Sequence, residues 1–168
     1  MCNCSAKLDI QSPADDVFMN TSYSLERAIR LVRLACYAYL VFAGVWWLAA
    51  VPELDWPARL LLDISDWPMD GSHDQLSRDA RFLSAIGSGL LVAVSLLILL
   101  IVVPEFERGN EAVLRGTIIA LLAWYFIDST GCILAGVWSN AVLNTFYVLT
   151  MLIPLMLVGR AFSKARLV

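Results

Sequence analysis

The chain has 168 residues, 60% hydrophobic and 16% charged, with a formal net charge of −3. Soluble domains carry about 45–50% apolar and about 25% charged residues, so the surplus here needs lipid to cover it. The small negative charge and the lack of a basic stripe exclude nucleic acid as a partner.

Residues 1–24 are polar, with Asp15, Asp16, Asn20 and several Ser and Thr. They read as a cytoplasmic arm ahead of a single transmembrane domain, 25–168. Phe18, Met19 and Tyr23 are free in this reading to touch a membrane surface or a partner. Cys2 and Cys4 form a C-x-C, well short of a four-ligand metal site, and read as free thiols. Cys36 and Cys132 fall in different apolar runs at opposite depths and are not expected to pair.

Ser22 or Ser24 suits the N-cap of the first helix, with Glu26 in its first turn. Arg27, Arg30 and Arg33 follow on one side. The first span is 31–51, long enough for a hydrocarbon core of about 30 Å. Trp46 and Trp47 stand near its far end, where an aromatic belt belongs. Pro52 closes it.

Residues 52–79 form the one long connection. Asp55 as cap and Pro57 as first helical residue start a helix there, and Pro68 stops it. Trp56, Leu60, Ile64 and Trp67 form an apolar stripe, with Arg59 and Asp63 at pairing distance on another face. This is an amphipathic helix. Two placements fit it: lying on the membrane surface, or capping the bundle within the fold.

Three further spans follow, 81–103, 112–134 and 141–159. Pro104 closes the second. Pro154 predicts a kink in the fourth. The chain is therefore expected to be all-α, a four-helix transmembrane bundle with an extracytoplasmic amphipathic helix between spans one and two. Lys7, Arg27, Arg30, Arg33, Arg108, Arg115, Arg160, Lys164 and Arg166 fall on the side of the termini. Only Arg59, Arg78 and Arg81 fall on the other, with seven acids in 52–79. The positive-inside rule then places both termini in the cytoplasm.

One carboxylate, Asp128, sits inside an apolar span, where an ionisable group is costly and needs a partner. It lies about 9 Å below the outer end of its helix, at 1.5 Å per residue. Arg81, Ser84 and Ser88 share one face of span two, and Asn140 and Asn144 begin span four at the same level. These six residues are expected to form one polar layer, with Arg81 as counter-ion to Asp128. The layer reads first as hydrogen-bonded glue between helices. It reads second as a small pocket open to the outside for a ligand or proton. Ser84/Ser88 and Ala85/Gly89 are small-xxx-small pairs that admit a neighbouring helix, and Gly131 with Ala135 does the same on span three.

His73, the sole histidine, stands near Asp66, Asp70 and Asp74 in the connection. The spacing fits neither an EF-hand nor a zinc pattern. No apolar span supplies an axial histidine for haem. No G-x-S-x-G, Walker, G-x-G-x-x-G, H-E-x-x-H or C-x-x-C motif occurs. No metal site, cofactor or enzymatic activity is expected.

The stretch Leu62-Asp63-Ile64-Ser65-Asp66-Trp67-Pro68-Met69-Asp70-Gly71, followed by Leu76-Ser77-Arg78-Asp79-Ala80-Arg81-Phe82-Leu83-Ser84-Ala85-Ile86-Gly87, resembles a group of uncharacterised bacterial four-helix membrane proteins. The resemblance covers the connection, span two and the region of Asp128. It implies a bacterial inner-membrane location and no particular activity. The sequence thus predicts a non-catalytic accessory or scaffold subunit of a larger membrane complex, of respiratory or photosynthetic type, whose partners are lipid and other membrane subunits. The alternative is a stand-alone small-molecule binder or transporter built on the Asp128 layer.

Overall fold

The structure, a computed structural model, describes residues 13–71 and 75–166, with side chains from Tyr23 onward. The expectations for Cys2, Cys4, Phe18, Met19, His73 and Asp74 lie outside the described residues or side chains. The described residues form helices and turns with no strand. Four helical stretches are long and apolar enough to cross a membrane: Tyr23–Ala50, Arg78–Glu107, Glu111–Leu134 and Trp138–Ala165.

Helix α1 is Pro13–Trp47, followed by a 3₁₀ turn at Leu48–Ala50. It starts well before the expected caps at Ser22 and Ser24, so residues 13–24 are helical rather than aperiodic. The reason is local: proline is well suited to a first turn. Polarity alone does not argue against helix.

Helix α2 is Trp56–Ser65. Asp55 stands at its N-cap and Pro57 in its first turn, but the Asp55 side chain makes no capping bond. Ala58, fully buried, packs with Ala49 and Leu76. On the other side Trp56, Leu60, Ile64 and Trp67 are exposed. The helix caps the fold with its small face and turns its large apolar face outward.

Helix α3 is Arg78–Glu107. Ser77 caps it, accepting from the Ala80 N–H at 3.1 Å, and Asp79 lies in the first turn. Pro104 does not end it, contrary to expectation. A π-helical turn at Ile98–Val102, with the Val103 N–H bonded to the Ile98 carbonyl, precedes the proline. That shift of register accommodates a residue without an N–H, and the helix runs on past it. Gly109, at φ +74°, makes the sharp exit a residue with a Cβ rarely adopts.

Helix α4 is Glu111–Leu134, capped by Asn110, whose side chain accepts from Val113 N–H. Helix α5 is Trp138–Ala165 and passes through the buried Pro154 without ending.

The four long helices pack in the order α3–α1–α5–α4. α1 and α5 are central. α3 leans on α1, α4 leans on α5, and α3 approaches α4 around the π turn and the short loop joining them. The main core lies there: Ile29, Val32, Cys36, Val103, Phe106, Leu114, Met151, Leu155 and Val158. Arg33 bonds Glu107 at 2.6 Å across α1 and α3, and Arg166 pairs with Glu111 across α5 and α4. Among the described residues, the end carrying α2 has the small Ala49–Ala58–Leu76 cluster. Polar side chains hold that end together.

Candidate functional site

The expected polar layer divides into two clusters. Arg81, in the first turn of α3, donates from Nη2 to Asp55 Oδ2 at 2.8 Å. Its Nη1 bonds the Ala49 carbonyl at 3.0 Å and its Nε the Leu76 carbonyl at 3.3 Å. The other Asp55 oxygen meets Arg59 Nε at 2.9 Å. The Asp55 side chain is only 7% exposed, so a buried carboxylate is held between two guanidiniums. Arg81 therefore joins the ends of α1, α2 and α3. Arg59 pairs with Asp55 four residues before it, and Asp63 accepts from the Gly71 N–H at 3.2 Å. The missed signal is the Asp55–Arg59 spacing of four, which competes with N-capping for the same carboxylate.

Asp128 belongs to the other cluster. On α4, Tyr125, Asp128, Ser129 and Cys132 recur at helical spacing along the face toward α5. Asn144 on α5 donates from Nδ2 to Asp128 Oδ2 at 2.5 Å and to Ser129 Oγ at 3.4 Å. Asn140 Nδ2 lies 3.0 Å from Cys132 Sγ, and the Tyr125 and Thr145 hydroxyls are 2.9 Å apart. Asn144 and Ser129 are buried and Asp128 is half-buried. The result is a polar seam along one helix pair. Arg81 is not part of it, because α3 and α4 are the two outer members of the row and diverge toward the α2 end. Among the described residues no Lys or Arg pairs with Asp128.

Ser84 and Ser88 are also absent from the seam. Both are buried, and the Ser88 hydroxyl donates to the Ala85 carbonyl of its own helix at 3.0 Å. The close approach on α3 is made by Gly87. A Cβ there would lie 2.3 Å from Trp46 Cη2, so the indole of α1 sits flush on the glycine. Gly89 and Gly131 face open space, with nothing within 4 Å of a built Cβ. The small-xxx-small pattern of Ala85, Gly89 and Gly131 thus has no close neighbour at either glycine among the described residues.

Two further contacts were not legible as pairs. Ser139 Oγ donates to the Ser65 carbonyl at 2.6 Å and accepts from the Trp67 N–H at 3.0 Å, fastening the end of α2 to the start of α5. Midway along α1, the Tyr39 hydroxyl donates to the Tyr147 carbonyl at 2.8 Å, and the two rings stack at 4.6 Å.

Among the described residues, no three His, Cys, Asp or Glu side chains converge as metal ligands. Two open hollows lie away from Asp128. One, about 210 Å³, opens at the end opposite α2 and includes Leu114, Arg115, Phe162 and Arg166. The other, about 300 Å³, is an apolar hollow on α3 among Ala93, Leu97 and Ile101. No protein family, curated protein or solved structure matches the chain.

Proposed function

We propose that the chain is a non-catalytic subunit of a larger membrane complex, a scaffold or accessory component of a bacterial inner membrane assembly of respiratory or photosynthetic type. Both termini lie in the cytoplasm in this reading, and α2 lies at the outer surface. The observation that carries it is the state of α4. Only 6% of the apolar stretch of Glu111–Leu134 is buried inside the protein, yet that helix carries Asp128. A helix built only to face lipid has no use for a carboxylate at that depth. A helix that meets another protein does. The glycines that face open space on α3 and α4 support the same reading. The alternative is a small-molecule binder at Asp128.

Purification from native membranes in mild detergent, with native mass spectrometry, tests the proposal. The expected result is a stoichiometric assembly containing at least one other membrane protein. A lone monomer across several mild detergents overturns it.

A further inference from the structure

We infer that the outward face of α4 docks a transmembrane helix of a partner protein that carries one Lys or Arg at the level of Asp128. The inference rests on the subunit reading and names the chemistry of the contact.

The argument begins with the carboxylate. Asp128 Oδ2 accepts from Asn144, and the structure gives Oδ1 no donor among the described residues. One neutral amide is thin support for an ionised group in an apolar span. Among the described residues, the cations of the chain near that end are Arg59 and Arg81, both committed, and Arg78, which stands at the very start of α3 on the other outer helix of the row. Arg81 is held by Asp55 and two backbone carbonyls, and Arg59 by the same Asp55. Arg115 lies thirteen residues along α4, about 20 Å away at 1.5 Å per residue. The complement of an ionised Asp128 is a single basic side chain.

The surface beside Asp128 suits a helix. Gly131 follows it by three residues, one turn further along α4, and is exposed with nothing within 4 Å of a built Cβ. Gly116, Ala120 and Ala123 are also exposed, and Gly116 likewise faces open space. A partner backbone can approach closely there, which brings a Lys or Arg stem within reach of Oδ1. A second copy of this chain fits less well. Its cations near that level are Arg81, which would have to abandon Asp55, and Arg78, which stands at the very start of α3, nearer the outer end than Asp128.

The test uses the full chain and a single-span probe co-expressed in a bacterial membrane. The probe is a Leu/Ala helix with a fluorescent domain at the end that shares a side with the chain's C-terminus, where a second fluorescent domain is fused. Three probes are compared: one Lys at the depth of Asp128, one Lys near the opposite end, and none. Energy transfer is titrated against expression level. The expected result is about tenfold tighter association for the Lys at matching depth than for either other probe. Asp128→Asn abolishes that preference and Asp128→Glu retains most of it.

Equal association of the wild-type chain with all three probes overturns the inference, whether or not any variant folds. So does a preference that survives Asp128→Asn. Self-association of the chain that disappears in Asp128→Asn also overturns it, in favour of a second copy as occupant. The subunit reading fails separately. A native complex whose composition is unchanged by Asp128→Asn removes this contact and leaves that reading standing. A lone native monomer that still prefers the matched Lys probe removes that reading and leaves the contact standing.

Discussion

Arg81 Nη2 stands 2.8 Å from Asp55 Oδ2, and through this pair the first turn of α3 holds the start of α2. The Arg81 and Arg59 side chains are 23% and 31% exposed, against 7% for Asp55. Breaking a buried ion pair from one side costs about 3–5 kcal/mol, and water reaching the two guanidiniums reduces that. Asp55→Ala is therefore expected to lower stability by about 2–3 kcal/mol. Unfolding in detergent micelles measures it. Arg81→Leu in the Asp55→Ala background is expected to add little, since the pair acts as a unit. Two fully additive losses would show that Asp55 and Arg81 act independently.

A second expectation separates three glycines. Gly87 lies against Trp46, so Gly87→Val must displace the indole and is expected to cost about 1–3 kcal/mol. Gly89 and Gly131 face open space, and alanine there is expected to leave stability equal or to raise it by about 0.5–1 kcal/mol through helix propensity. The same unfolding series ranks all three. A large loss at Gly89 or Gly131 in the isolated chain would mean that these faces are packed within it.

The four long helices were legible because apolar runs of span length leave few other options in a chain this hydrophobic. Their ends were less so. Pro104 read as a boundary, and the chain turns it into part of a helix behind a π turn; the polar residues from Pro13 read as an arm, and they open the first helix. The polar layer was half legible. Depth along each span puts Asp128, Asn140 and Asn144 at one level, and the structure pairs Asn144 with Asp128. Depth does not encode which helices are neighbours. Arg81 sits at a similar level to Asp128 but on the far side of the row, and Asp55 already occupied a role as a capping residue. Lateral order is decided by packing, such as Gly87 on Trp46 and Phe106 in the core, which no spacing rule reports.

Ser139 fastens α2 by two bonds, to the Ser65 carbonyl and from the Trp67 N–H. Ser139→Ala loses both, and each is worth about 0.5–1.5 kcal/mol. The effect is expected to be local, because α2 is otherwise held by small side chains and by Asp55. Hydrogen exchange over 56–67 is expected to accelerate while protection of α1 and α5 near Val32 and Leu155 stays unchanged. A uniform rise across the chain would place Ser139 in the global stability of the fold instead.

The seam between α4 and α5 allows the sharpest separation of ordinary glue from a charged liability. Tyr125 and Thr145 share a neutral hydrogen bond at 2.9 Å. Removing it by Tyr125→Phe is expected to cost about 0.6 kcal/mol, the mean for such bonds in membranes. Asn144→Leu is different in kind. It takes from Asp128 its one donor among the described residues and leaves a carboxylate within an apolar helix. A charged residue at the bilayer centre costs about 2.5–3.5 kcal/mol on insertion scales, and Asp128 lies nearer the outer end, so the expected loss is about 1–2 kcal/mol. Adding Asp128→Leu to Asn144→Leu removes the stranded group and is expected to recover most of that loss. Recovery is the diagnostic. If the double variant is no more stable than Asn144→Leu alone, the amide serves α5 by its shape and its hydrogen bond to Ser129, and the carboxylate is not the group it supports.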